Sequence, residues 1–154
     1  MNEPLLTTEF PTAEESPGFL LWQISNRWQS NQRKALSSFN LTHVQFVLLA
    51  SLVWLAPRER PVSQKELANH AKTDVMMTSQ VVRTLERKGL LTRTVNQVDA
   101  RSILLEPTPE GVALANRSIL AVEAVDSEFF EILREDLQQF TSMMRLLSGD
   151  QQRD

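Results

Sequence analysis

Between residues 73 and 87, apolar and polar positions separate cleanly when they are set at the helical step of about 100° per residue. Thr78, Val81, Val82 and Leu85 fall on one side, a narrow stripe that predicts inward packing. Met76, Gln80, Arg83 and Arg87 fall on the other, with Ser79 at its edge. A solvated helix face is usually dense in Glu and Lys. This one offers a thioether, an amide, a hydroxyl and two guanidiniums, groups that suit base edges and phosphates. Thr73 is the expected N-cap. Arg87 and Lys88 sit in the last turn, where they favour the helix dipole, and Gly89 is the expected left-handed stop. The period then changes. Leu91 to Val95 and Ile103 to Leu105 are β-prone runs separated by the polar, turn-forming stretch 96–101, which predicts a hairpin.

The flanks read as helices. Residues 1–15 are polar, hold Pro4 and Pro11, lack a sustained period and predict an irregular arm, one that could drape on a partner subunit. Ser16-Pro17 opens a long first helix, with Leu20, Ile24, Trp28, Ala35 and Phe39 at roughly helical spacing and Phe19 and Trp22 beside that stripe. Thr42 and Gln45 form a capping box for a second helix that is apolar nearly all round, hence central, and Pro57 ends it. Residues 58–62 lead into a short extended segment able to add a third strand to the hairpin. Ser63 and Glu66 cap a short helix that turns Leu67, Ala68 and Ala71 inward, while His43 and His70 read as capping or surface residues. Thr108-Pro109 starts a fifth helix along Ala115, Ile119, Val122 and Val125 or Asp126, and Phe129, Leu133, Leu137, Phe140, Met144 and Leu147 carry the spacing to the C-terminus. A stripe of that length exceeds what so small a core can bury. The first helix and its mate from a second copy are the expected cover.

Composition narrows the class. With 154 residues, 42% of them hydrophobic, the chain suits one core of ordinary size and one compact domain. The expectation is a mainly α protein: a winged helix-turn-helix at 63–107 with a small hairpin wing, and flanking helices at 16–62 and 108–148 forming a dimerisation region. No apolar run reaches membrane-spanning length and the start carries acid in place of a basic-then-apolar leader, so the chain is expected to be cytoplasmic. Cysteine is absent, which excludes disulfides, thiolate metal sites, a cysteine nucleophile and cysteine-based oxidant sensing. The formal net charge of −3 argues against nucleic acid until its distribution is read. Residues 63–105 carry seven bases against four acids, whereas residues 106–154 carry four against ten. A basic head on an acidic body attracts phosphate locally.

Helix, helix and hairpin in that order are the layout in which a second helix enters the major groove and a hairpin reaches toward the backbone or minor groove. Ser79, Gln80 and Arg83 are base-edge candidates, Met76 a contact for a thymine methyl, and Arg87 and Lys65 phosphate contacts; Arg93 and the wing pair Asp99 and Arg101 complete the set. The plain alternatives are a polar outer face of no consequence and an exposed turn salt bridge. The run from Ser63 to Gly111, with SQKELANHA, ERKGLLTR, Asp99-x-Arg101 and LEPTPEG, resembles the MarR (multiple antibiotic resistance regulator) family of bacterial transcription factors. The resemblance implies a homodimer on palindromic double-stranded operator DNA, released by a small molecule or oxidant. It also makes Arg101 a minor-groove arginine steadied by Asp99, and places a break near residues 133–135, although Arg134 stands where a capping serine is common. Ala100 and Gln80 replace basic residues frequent in that family, which implies modest affinity. An apolar effector site is expected among Trp22, Trp28, Phe46 and Trp54. No HExxH, Walker loop, GxGxxG or GxSxG occurs, and the carboxylates at Glu128, Glu131, Glu135 and Asp136 read as a solvated face, so neither catalysis, metal nor cofactor is expected. The second reading is a winged-helix module that binds another protein through its acidic C-terminal helices.

Overall fold

A computed structural model describes residues 5–58 and 61–149. Its elements are α1 (Pro17–Leu36), α2 (His43–Leu55), β1 (Val62–Ser63), α3 (Gln64–Ala71), α4 (Val75–Arg87), β2 (Leu91–Val95), β3 (Ile103–Pro107), α5 (Pro109–Phe130) and α6 (Leu137–Leu147). Short 3-10 turns lie at Ala13–Glu15, Ser37–Phe39 and Glu131–Asp136. The expected arm is therefore irregular only up to residue 12 within the described part, and its first four residues lie outside it.

Local chemistry sets the helix ends. Ser16 accepts from Phe19 N ahead of Pro17, and Thr108 accepts from Gly111 N ahead of Pro109. Both capping boxes form, Thr42 with Gln45 and Ser63 with Glu66. The expected cap of α4 is corrected by one residue: Asp74, not Thr73, accepts from Met77 N at 2.8 Å. A carboxylate serves the positive end of the helix dipole better than a hydroxyl does. The Thr73 hydroxyl instead meets that of Thr78 at 2.7 Å, and Thr78 reaches Asp74 O at the same distance. This explains how a threonine tolerates nearly complete burial.

The three strands form one antiparallel sheet in the order β1-β3-β2, with Val62 opposite Leu105 and Leu105 opposite Arg93. The hairpin thus gains the third strand. α2 lies at the centre, its Phe46, Leu48, Leu49 and Leu52 packed with Leu36, Leu67, Val82, Leu85, Leu91, Leu105, Ala115 and Val122. Gly89 has φ 74 and closes α4. α5 and α6 are separated at Arg134, whose φ of 47 and ψ of −122 leave the helical region, inside the expected interval.

The expected α1 stripe is half-buried at Leu20, Trp28, Ala35 and Phe39, but Ile24 within it is exposed. The face turned to the chain's own core runs through Trp28, Gln32 and Leu36, while Phe19, Leu21, Trp22 and Ile24 stay exposed. On α6 no residue is buried, and Met143, Met144, Leu146 and Leu147 face solvent. No single described helix is long and apolar enough to cross a membrane.

Candidate nucleic-acid interface

α4 is oriented by its narrow apolar stripe. Thr78, Val82 and Leu85 are buried and Val81 half-buried against α2, so the opposite face has no protein to meet. Met76, Gln80, Arg83 and Arg87 are exposed together on that face and Ser79 lies half-buried at its edge. Arg83 and Gln80 have no side-chain hydrogen bond to another described residue, so their donors are unused. Arg87 Nη2 donates to Thr84 Oγ1 at 3.0 Å, which leans its guanidinium along the helix. Lys88, by contrast, is tied to the body: its Nζ donates to Asn40 O at 2.6 Å and to Gln45 Oε1 at 3.1 Å.

The wing tip is shaped by side chains that fold onto their own backbone. Asn96 Oδ1 accepts from Val98 N at 2.9 Å, and Asp99 Oδ1 accepts from Arg101 N at 3.1 Å. Asp99 thereby holds the backbone of Arg101 and lies 4.0 Å from its Nε, while the Arg101 side chain remains 97% exposed. Lys65, at the start of α3, joins Thr73, Asp74, Val75, Asp99 and Arg101 in lining one cleft of about 690 Å³ between α3, the start of α4 and the wing.

Arg93 is paired within the fold. Strand alternation places it on the same face as Leu91, opposite the buried Leu105, and its Nη1 pairs with Glu86 on α4 at 3.3 Å. An arginine in the inward register is paired with a helix carboxylate, so it joins the wing to α4.

The four aromatic residues expected around an effector do not converge. Phe46 is in the core, Trp22 is exposed on α1, and Trp54 is exposed with the Arg58 guanidinium 4.0 Å above its ring. Trp28 is half-buried, and its Nε1 donates to Asp126 Oδ1 at 2.7 Å. None of the four lines the cleft beside α4 or the larger one, about 780 Å³, between α1 and the α5–α6 break.

A polar junction that the sequence reading missed lies where α1, α2 and α5 meet. Gln32, fully buried, donates through Nε2 to Asp126 Oδ1 at 2.8 Å and to Val122 O at 3.3 Å. The His43 ring meets Trp28 edge-on, 4.9 Å between centroids. The only hint in the sequence is Trp28 and Gln32 one helical turn apart. Burial lowers the pKa of His43 below its ordinary value; Asp126 opposes this and Arg33 adds to it. A histidine held neutral in the fold, but free to charge when unfolded, contributes stability that is present above the unfolded pKa, about 6.5, and lost as pH falls through it. The free energy of urea unfolding is therefore expected to fall between about pH 7.5 and 5.5 more steeply in the native chain than in His43→Gln. Parallel pH profiles would refute this. Among the described residues, no cluster of three His, Cys, Asp or Glu could hold a metal ion.

A model of the MarR family matches residues 41–103. The chain is 45% identical over 123 residues to the uncharacterized HTH-type transcriptional regulator YdcH of Bacillus subtilis (strain 168), covering 80% of this chain and 84% of that protein. Among solved structures, CouR from Rhodococcus jostii RHA1 bound to p-coumaroyl-CoA superposes with a TM-score of 0.77 at 22% identity, covering 94% of this chain and 100% of that one. The MepR–DNA complex of S. aureus gives a TM-score of 0.76 at 23% identity, over 87% of this chain and 98% of that one. The family match over the helix-turn-helix core, together with close identity to a regulator along most of both chains, establishes that this chain belongs to the MarR family of transcriptional regulators.

Proposed function

We propose that the protein is a homodimer that binds a palindromic operator, with α4 in the major groove and the wing arginine in the adjacent minor groove, and that it regulates transcription without catalysing a reaction. The observation that carries this reading is the exposed face of α4, where Gln80 and Arg83 keep every side-chain donor free beside a wing whose Arg101 is also unburied. MepR has been captured on DNA, which supports the same use of the shared fold. Two heads joined through their outer helices meet half-sites about one helical turn apart, roughly 34 Å. Within this surface Ser79, Gln80 and Arg83 read base edges, while Lys65 and Arg87 neutralise phosphates. Residues 16–62 and 108–148 supply the dimer contacts and residues 63–107 the head. CouR binds p-coumaroyl-CoA, and a small effector is carried over from it. Of the aromatic residues expected to wall the effector site, Trp28 alone lies at the polar junction of α1, α2 and α5, within the outer helices.

Arg83→Ala is expected to cost about 1 to 3 kcal/mol on the operator and to relax sequence preference, whereas Arg87→Ala should weaken all duplexes alike and flatten the salt slope by about one unit. Titrations of a selected operator and a random duplex across salt concentrations check this. Equal losses on both duplexes for both variants would overturn the assignment of roles. Gel filtration with a palindromic duplex separates the operator reading from a protein-binding module, which would leave the duplex unshifted.

A further inference from the structure

The first turn of α4 carries three consecutive apolar residues, and all of them are exposed: Val75 and Met76 at 75% and Met77 at 42%. Nothing among the described residues covers them, and nothing in the local sequence needs them, since the Asp74 side chain already caps the helix. At the helical step, Val75 lies one turn before Ser79, and Met76 one turn before Gln80 and in line with Arg83. The apolar pair therefore continues the donor-bearing face without a break, and Val75 also lines the cleft shared with Lys65 and Arg101. These two side chains can neither donate nor accept a useful hydrogen bond. The major-groove edge of a base pair has one apolar feature, the C5 methyl group of thymine.

We infer that Val75 and Met76 determine sequence specificity by packing on thymine methyl groups in the half-site, ahead of the positions read by Ser79, Gln80 and Arg83. The inference rests on the operator reading above and names what the leading end of α4 recognises. Burial of a methyl on DNA binding replaces water around two exposed apolar side chains, so each contact discriminates thymine from a pyrimidine that lacks the methyl. Met77 lies off this face and takes no part.

The test begins with duplexes selected from a random pool by the native chain, in which thymines of the half-site are replaced one at a time by uracil. Uracil keeps the base pair and removes only the methyl. At one or two positions the affinity is expected to fall about fourfold, the factor of one buried methyl group, and by less than about twofold elsewhere. At those positions Val75→Ala or Met76→Ala should bind thymine and uracil duplexes equally. Because both residues are exposed, the variants are expected to fold as the native chain does, which circular dichroism checks. If no position responds to uracil although Arg83→Ala still relaxes sequence preference, the inference fails and the operator reading stands. A change of oligomeric state in the alanine variants, with uracil sensitivity intact, would assign the pair to a protein contact and overturn it. If no duplex is enriched at all, the operator reading falls and takes the inference with it.

Discussion

Gly111→Ala is expected to cost about 3 kcal/mol or more of folding stability, at or beyond the usual upper range of overpacking. A Cβ at this position would lie 1.9 Å from the carbonyl oxygen of Leu90 and 2.9 Å from its carbon. That carbonyl cannot simply turn away. It accepts from Thr108 N at 3.1 Å, while Thr108 Oγ1 donates to Gly89 O at 2.6 Å and accepts from Gly111 N at 3.1 Å. Leu90 and Leu91 are themselves buried, so the loop is held from beneath as well. The start of α5 must move away from the end of α4, and with it the connection between the wing and the outer helices. Gly18→Ala is the control. Nothing lies within 4 Å of its missing Cβ, and in a helix the change should gain about 0.5 to 1 kcal/mol. Gly89→Ala, with open space but φ 74, should fall between, losing about 1 kcal/mol. Urea unfolding of the three variants measures the order, and a Gly111→Ala variant as stable as the native chain would show that the close approach is not held.

The contrast between these glycines also shows what can be read from a sequence. Helix ends were legible because their chemistry is local: Ser16-Pro17, Thr42 with Gln45, Ser63 with Glu66, Thr108-Pro109 and Gly89 each act on groups a few residues away. The outer face of α4 was legible for a similar reason, since one helix fixes which residues share a side. The role of Gly111 was not, because its neighbour Leu90 belongs to another element. Arg93 shows how charge and strand register compete. Its charge drew it into the expected DNA surface, although the alternation through Leu91 and Val95 already placed it on the inner register, awaiting a partner that proved to be Glu86. Gln32 is the reverse case, a polar residue in an amphipathic helix that is fully buried because Asp126 and Val122 O, some ninety residues on, accept its protons. Capping Asp74 was missed for want of a rule finer than one residue.

The double variant Ile24→Asp, Met144→Asp is expected to convert a dimer to a monomer and to lower affinity for a whole palindrome by about 10² to 10⁴-fold, the usual gain from linking two weak heads. Both residues are partly exposed in the single chain, so the folded subunit loses little by the change. In a dimer that buries them, two carboxylates in each copy would enter an apolar contact without partners. Among the described residues, α1 leaves Phe19, Leu21, Trp22 and Ile24 uncovered while α6 leaves Met143, Met144, Leu146 and Leu147 uncovered, an apolar area of the kind that marks a protein contact. A second copy of the same two helices supplies matching surface under a two-fold axis, and that axis is what a palindrome requires. Sedimentation gives the mass, circular dichroism the fold, and titration on a half-site and a full site the division between contact and linkage. A monomeric variant that still binds the full palindrome as tightly as the native chain would separate the outer helices from operator recognition. A variant that stays dimeric would place the contact elsewhere. Loss on the full site with an unchanged half-site assigns the spacing of the two heads to α1 and α6, because each reading surface, α4 with its wing, is left as it was.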